Sequence, residues 1–134
     1  MNSVSDTLST QLRSAGLRAT PARRSLLAFL SEQTEPVHVQ TILRHVPKSI
    51  DQATVYRILN RLVTAGLVRE VHLQAGVVHY EAADRPHHHH VVCEKCGYVE
   101  DVTECRVPHR VASRGFSEVT EHSLKFMGIC RACA

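Results

Sequence analysis

The sequence predicts a mixed α+β fold built from two consecutive modules. The first half repeats apolar residues at helical spacing and then alternates them in two short segments. All five cysteines, and eight of the ten histidines, lie at or after His72. Charge divides the chain similarly, because residues 1–71 carry nine Lys and Arg against five Asp and Glu, and residues 72–134 carry seven against eight. We therefore predict a basic module at residues 1–82 and a module rich in metal ligands at residues 83–134.

The overall composition is that of an ordinary globular protein, with 43% hydrophobic and 22% charged residues in a chain of 134. No apolar run is long enough to cross a bilayer. Residues 1–10 are polar and have neither the basic start nor the apolar core of a signal peptide. We therefore expect a cytoplasmic protein without a membrane partner, whose reduced cysteines serve metal or redox chemistry rather than disulfides.

Periodicity and capping residues predict the first three helices. In TLSTQLRSAGLR the apolar residues have helical spacing, and Gly16 stands where a C-terminal cap belongs. A second helix is predicted to start after Thr20, which is a favourable N-cap, with Pro21 at the first helical position. A short third helix is predicted at Val39–His45, and Pro47 limits it.

The segment ATVYRILNRLVTAG predicts a fourth helix with one apolar face. Its apolar residues fall at i, i+3, i+4 and i+7, namely Val55, Ile58, Leu59 and Leu62. Gly66 follows as a stop signal. The segments LVREVHL and VVHYE, joined by a turn at 74–76, predict the two strands of a hairpin. Helices followed by such a hairpin describe a winged helix-turn-helix.

The polar face of the fourth helix carries Thr54, Arg57, Asn60 and Arg61. Arg pairs bidentately with guanine and Asn with adenine, so this face suits the major groove of DNA. The alternative is an ordinary solvated helix face. Arginine content favours DNA, because eight of the nine basic residues in this half are Arg, whose planar fork fits phosphate oxygens. The net charge of +3 is modest, so we expect a dimer to bind.

Two Cys-x-x-Cys pairs carry the strongest signal of the second module: Cys93 with Cys96, and Cys130 with Cys133. Four thiolates form a closed tetrahedral set for a structural zinc ion. The alternative is four unrelated buried cysteines. Zinc would also stabilise this module. A module of roughly 50 residues with few aromatics buries too little apolar surface to be stable without a metal ion or a covalent cross-link.

The stretch RPHHHHVVCEKCG places four histidines just before the first cysteine pair. In a strand, alternate side chains face opposite sides, so His88 and His90 form one pair and His87 and His89 another. Imidazole and carboxylate together suit Zn(II), Fe(II) or Mn(II). Several carboxylates lie nearby in the sequence: Glu81, Asp84, Glu100, Asp101 and Glu104. The pattern predicts up to two metal sites, and the alternative is an exposed strand that binds no metal.

Five segments together resemble the ferric uptake regulator family of metal-dependent repressors: LRSAGLRATPARRSLLAFL, ATVYRILNRLVTAGLV, HYE, HHHHVVCEKCG and GFSEVTEHSLKFMGICRAC. The resemblance runs from about residue 8 to the C terminus. It implies an N-terminal winged helix, a C-terminal α/β dimerisation domain, and a homodimer that binds double-stranded operator DNA when loaded with metal. Such repressors control metal-homeostasis or oxidative-stress genes. The implied cofactors are structural Zn(II) and a second divalent metal, iron, zinc or manganese, as regulatory ligand.

Carried over position by position, the resemblance implies three metal sites and a set of DNA contacts. The structural zinc site would use Cys93, Cys96, Cys130 and Cys133. The sensing site would use Glu81, His88, His90 and Asp101. A second site in the dimerisation domain would use His87, His89, Glu104 and His122. The DNA contacts would come from Tyr56 and Arg57 in the recognition helix and from Arg18 and Arg23 near the backbone and minor groove, and the polar helix face adds Thr54 and Arg61.

Two positions depart from the family pattern. Where many members supply a further sensing-site histidine, this chain has Pro36, and His38 lies two residues later. The segment that leads to His122 is about three residues short, and Cys105 stands beside Glu104 as an odd thiol. Differences of this kind separate sensors of iron, zinc, manganese and peroxide, so the inducing metal stays open.

Two other functions fit part of the pattern. His79-Tyr80-Glu81 ahead of a Cys-x-x-Cys pair suggests a zinc hydrolase or deaminase, in which H-x-E and P-C-x-x-C hold a catalytic zinc. However, Cys93 follows Val rather than Pro, and four cysteines would close the zinc to water. A metal-buffering chaperone would explain the histidines but not ATVYRILNRL. The sequence thus favours a repressor that is not an enzyme and has no small-molecule substrate.

Overall fold

The computed structural model describes residues 3–108 and 111–134, so residues 1 and 2 of the polar start and residues 109 and 110 lie outside it. The elements are, in chain order, α1 Ser3–Ser14, α2 Pro21–Glu32, β1 Val37–His38, α3 Val39–His45, α4 Gln52–Thr64, β2 Val68–Gln74, β3 Val77–Ala82, β4 His89–Cys93, β5 Val99–Val102 and β6 Lys125–Gly128. The chain divides into two compact units, Met1–Arg85 and Pro86–Ala134, here called unit 1 and unit 2. No helix in the described part is long and apolar enough to cross a membrane.

The predicted mixed fold is confirmed, and so are the four helices of unit 1. Each boundary has a local cause. Gly16 ends the first helical segment with a φ of 81°, a left-handed conformation that glycine adopts at little cost. The Thr20 hydroxyl accepts a hydrogen bond from the Arg23 N–H at 3.3 Å and caps α2. The Asp51 carboxylate accepts one from the Thr54 N–H at 2.8 Å and caps α4.

The apolar stripe of α4 lies in one continuous core with the other helices of unit 1. Its four members are buried: Val55, Ile58, Leu59 and Leu62. They pack with leucines of α1 and α2, with Val39 and Ile42 of α3, and with Val68 and Tyr80 of the sheet. This packing leaves the opposite, polar face of α4 to solvent.

The sheet of unit 1 has three strands in the order β1-β3-β2, all antiparallel. β2 and β3 are the predicted hairpin. The third strand, β1, was not predicted, because two residues have no periodicity that a sequence could reveal. Pairing creates it, with Val37 opposite Tyr80 and His38 opposite His79.

Unit 1 extends three residues beyond the predicted boundary at residue 82, because hydrogen bonds to residues distant in sequence hold this stretch to the rest of the unit. The Ala83 N–H donates to the Leu67 carbonyl at 3.0 Å, and Arg69 donates to the Ala83 carbonyl at 2.8 Å. Arg85 donates to the carboxylate of Glu81 at 3.1 Å and to the carbonyl of Thr34 at 2.7 Å. The chain therefore passes to unit 2 at Pro86.

Unit 2 is built on a three-stranded sheet in the order β5-β4-β6, in which β4 is antiparallel to β5 and parallel to β6. Its described residues contain no helix, so the helical content of the protein, as far as the structure describes it, lies in unit 1. Residues 111–124 are almost entirely exposed, and only Val119 and His122 are half-buried. Such a segment lacks an apolar face with which a helix could pack.

Candidate metal centres and candidate nucleic-acid interface

The four cysteines of the two Cys-x-x-Cys pairs come together in unit 2, with their sulfur atoms within 4.8 Å of one another. Cys93 ends β4, and the pairing of Cys93 with Gly128 brings the chain that follows β6 alongside it. Each pair closes a tight turn, in which the Gly97 N–H donates to the Cys93 carbonyl and the Cys133 N–H to the Cys130 carbonyl, both at 3.0 Å. Parallel pairing of β4 and β6 thus forms the cluster.

Hydrogen bonds shift the pKa values of two of these cysteines in opposite directions. Backbone N–H groups of Cys130 and Cys96 lower the pKa of Cys93 to about 6, and the Cys130 N–H lies 3.4 Å from its sulfur. The pKa of Cys133 rises to about 12, because its thiol shares hydrogen bonds with Cys130 and Cys96. Four thiolates this close repel one another unless a cation is bound among them. The donor set therefore fits a tetrahedral, thiophilic ion such as zinc.

A second cluster in unit 2 joins three histidines and one cysteine: His87, His89, Cys105 and His122. The Cys105 sulfur lies 3.1 Å from Nε2 of His89 and 3.2 Å from Nε2 of His122. The His87 ring lies 4.7 Å, between centroids, from each of the other two histidine rings. His89 is only 1% exposed. Burial lowers its pKa, and the neighbouring histidines lower it further, which favours the neutral imidazole that ligates metals.

The structure does not bring Glu104 into this cluster and places Cys105 there instead. Glu104 is 76% exposed and accepts a hydrogen bond from Arg106 at 3.2 Å. Cys105 is half-buried against the two histidines. Sequence reasoning missed Cys105 because residues 103–106 are in irregular chain, where no period predicts which side chain turns inward. The shortened segment and the odd thiol were the available signals.

The other histidine pair also lies in unit 2, with an acidic neighbour. His90 is opposite Asp101 in the β4–β5 register, and its Nε2 lies 3.6 Å from the carboxylate. The rings of His88 and His90 are 4.9 Å apart between centroids. Glu81 belongs to unit 1, where it is 3% exposed and bound to Arg85.

His38 and Pro36, at the departure from the family pattern, have structural roles in unit 1. Pro36 is buried. Nδ1 of His38 accepts the Gln40 N–H at 3.2 Å and caps α3, and the rings of His38 and His79 are T-shaped with their centroids 5.8 Å apart. That nitrogen is therefore engaged in capping a helix.

The residues predicted to contact DNA lie on unit 1. In α4, Tyr56, Arg57 and Arg61 are exposed, and Arg57 donates to the hydroxyl of half-buried Thr54 at 3.2 Å. Near the start of α2, the guanidinium of Arg23 donates to the carbonyl of exposed Arg18 at 3.0 Å. Packing of the apolar stripe thus turns the basic side chains of α4 outward, as a DNA-contacting helix requires.

A winged-helix unit joined to a unit with clustered metal ligands defines a class of metal-responsive regulators, and comparisons specify the family. Residues 14–127 match the ferric uptake regulator family. The ferric uptake regulation protein of Legionella pneumophila is 35% identical over 133 residues, covering 93% of this chain and 97% of that protein. This chain belongs to the ferric uptake regulator family.

Solved structures agree with this assignment. The ferric uptake regulator of Pseudomonas aeruginosa, solved with manganese, is 29% identical with a TM-score of 0.74, covering 92% of this chain and 98% of that one. A zinc-bound manganese uptake regulator is 26% identical with a TM-score of 0.70, covering 92% and 98%. These two relatives carry different metals, so membership leaves the inducing metal of this chain open.

Proposed function

We propose that this protein is a metal-responsive transcriptional repressor that binds double-stranded operator DNA as a homodimer in the cytoplasm. The observation that carries the proposal is the combination, in one chain of this family, of an outward-facing basic helix with clustered metal ligands. The controlled genes would serve metal homeostasis or the response to oxidative stress. The regulatory ion would be iron, zinc or manganese.

Structural zinc would be held by Cys93, Cys96, Cys130 and Cys133. The lowered pKa of Cys93 favours the thiolate, the form that ligates metal. Four protein ligands leave no open position for water, so this ion would stabilise unit 2 rather than catalyse a reaction. A hydrolase or deaminase is disfavoured for the same reason, and because Glu81 is bound to Arg85.

The sensing site would combine Glu81 of unit 1 with His88, His90 and Asp101 of unit 2. Ligands from both units would couple metal binding to their relative orientation. A metal favours the DNA-competent orientation by no more than the difference between its affinities for the two states. Two recognition helices in a dimer could then reach successive major grooves, about 34 Å apart.

The homodimer is supported by apolar side chains that unit 2 leaves exposed in a single chain: Tyr98, Phe116, Phe126, Met127 and Ile129. Phe126 and Met127 are adjacent in β6, so they point to opposite faces of an edge strand. An edge strand with apolar groups on both faces is typical of an interface rather than of a solvated surface.

The central test is whether DNA binding depends on metal. The probe is duplex DNA selected from a random pool by the manganese-loaded protein, and affinity is measured by fluorescence anisotropy at fixed salt. Added Mn(II) or Zn(II) should tighten binding, and a chelator of regulatory metal should reverse the effect. An affinity that stays constant through metal addition and chelation would refute a metal-responsive repressor.

Replacing Arg57 with Ala tests the DNA-contacting face. Loss of a guanidinium that meets bases or phosphates should weaken binding by about 1–3 kcal/mol, and loss of a phosphate contact lowers the salt slope by roughly one. Arg114→Ala removes the same charge from an exposed position of unit 2 and serves as the control. Equal effects of the two substitutions would remove Arg57 from the interface.

A further inference from the structure

We propose that His87, His89, Cys105 and His122, here called the His3Cys cluster, form a site for a thiophilic divalent cation of the zinc class, with the Cys105 thiolate as a ligand. The proposal goes beyond the proposed function: it concerns the second metal site that the family resemblance implies, replaces Glu104 with Cys105 as a ligand, and specifies the class of ion. It rests on metal binding and not on repression.

Convergence of the four side chains carries the proposal. One ligand atom from each lies within 4.8 Å of the others. The Cys105 sulfur is 3.1 Å from one imidazole nitrogen and 3.2 Å from another. Protonated imidazoles this close would repel one another. A bound cation converts three neutral rings and a thiolate into mutually stabilised ligands.

Ligand chemistry then selects the ion. Among the residues that the structure describes, no carboxylate belongs to the cluster, and the acid that the family resemblance implied, Glu104, is exposed and paired with Arg106. Magnesium, calcium and manganese prefer oxygen ligands, whereas thiolate and imidazole suit zinc and softer ions. His88, His90 and Asp101 offer only nitrogen and oxygen. The two sites are thus expected to differ in selectivity, with zinc favoured more strongly by the His3Cys cluster.

One hydrogen bond must change when His89 binds the ion. The Leu124 N–H donates to Nδ1 of His89 at 3.1 Å, so the proton of the neutral ring lies on Nε2, directed at Cys105. Ligation through Nε2 moves that proton to Nδ1 and ends the bond from Leu124. Metal binding would therefore change the hydrogen bonding of the Leu124 N–H, just before β6.

A metal ion bound by the cluster would also order the exposed segment between Cys105 and His122. Cys105 follows β5 and His122 precedes β6, and the described residues between them are almost all exposed. His89 in β4 is the buried anchor. An ion bound by all four side chains would tie both ends of this segment to the central strand, and its loss should increase amide hydrogen exchange there.

Cobalt spectroscopy tests the thiolate directly. Full-length protein that holds one zinc per chain is titrated anaerobically with Co(II), which absorbs in the near ultraviolet through charge transfer only when sulfur is a ligand. Zinc is quantified throughout, so that exchange at the four cysteines is detected. We expect the band in the wild type and its loss in Cys105→Ser, with zinc retained in both.

Glu104→Ala is the matched control, because it removes the neighbouring acid that the family resemblance implied. It should keep the band. Cys105→Asp is the second variant: its oxygen ligand should preserve cobalt binding without the charge-transfer band, even if the serine variant folds poorly. In competition with a zinc chelator, Cys105→Ser should lower zinc affinity at this site by at least about 10-fold, since loss of an outer-shell partner alone costs roughly 10–100-fold.

Three results would overturn the proposal. The first is cobalt bound by the wild type without a charge-transfer band, and the second is an equal band in Cys105→Ser at unchanged zinc. The third is a band that disappears in Glu104→Ala and persists in Cys105→Asp. Operator binding, measured on the same samples, is a separate readout, so a failed repressor hypothesis would not be mistaken for a failed metal site.

Discussion

Units 1 and 2 differ in how much apolar surface they bury. Unit 1 buries a continuous apolar core contributed by all four helices and the sheet. In the described part of unit 2, the buried apolar residues are only Val92, Cys93 and Val99, beside buried His89. Hydrophobic burial therefore suffices for unit 1, whereas we expect unit 2 to require the proposed metal-ligand bonds in place of a core. Three of the four proposed sensing ligands, His88, His90 and Asp101, lie in this less apolar unit.

Removing structural zinc should have the largest effect and should be confined to unit 2. Cys96→Ser leaves three ligands, and structural zinc in small domains is worth roughly 10–16 kcal/mol of apparent binding energy. We expect loss of one zinc per chain and of dispersed amide NMR signals from residues 86–134, while signals of unit 1 persist. Glu94→Ala, an exposed change in the same turn, is the control. A folded, fully zinc-loaded Cys96→Ser protein would refute the four-cysteine site.

A cavity in the core of unit 1 should destabilise that unit and leave the zinc content of unit 2 unchanged. Leu59 is fully buried in unit 1, and Leu59→Ala should lower the free energy of unfolding by about 2–5 kcal/mol. Urea denaturation followed by helical circular dichroism measures it, with exposed Asn60→Ala as the control. Zinc content should stay unchanged. Coupled loss of zinc in Leu59→Ala would show that the units do not unfold independently.

Single histidine substitutions should distinguish the two histidine pairs of unit 2. His88→Ala and His90→Ala should share loss of metal-triggered DNA binding with structural zinc retained, at a cost of at least roughly 10–100-fold in metal affinity. His87→Ala and His89→Ala should share a milder effect, because their cluster lies wholly within unit 2. DNA binding is measured against metal concentration for all four. Grouping by sequence neighbours instead would contradict the alternation of side chains along the strand.

The smallest effect should come from the exposed cap of α4, and it should depend on pH. Hydrogen bonds from Thr54 lower the pKa of Asp51 below its usual value near 3.8. The charged cap therefore stabilises unit 1 above that value, and the contribution is lost as pH falls through the lower, folded-state pKa. Asp51→Ala should reduce Tm by a few degrees at neutral pH. Asp51→Asn keeps the cap, and equal losses in both variants would argue against its role.

Local sequence determined the elements that are marked by a repeated apolar spacing or by a single capping residue. Helical spacing, Thr20 and Gly16 predicted the helices of unit 1, because caps and apolar stripes act within a few residues. The paired cysteines were likewise readable from turn geometry. The histidines group as predicted, His87 with His89 and His88 with His90, although β4 begins only at His89 and the first two precede the strand. The inward face of α4 followed from the same periodicity.

Only the tertiary structure decided features that depend on contacts distant in sequence. Strand β1 forms because Val37 pairs with Tyr80 in β3. Unit 1 continues to Arg85 because that side chain donates a hydrogen bond to the carbonyl of Thr34. The same holds for the second cluster. In irregular chain nothing local orients neighbouring side chains, and the positions of His89 and His122 turn Cys105 inward and leave Glu104 in solvent.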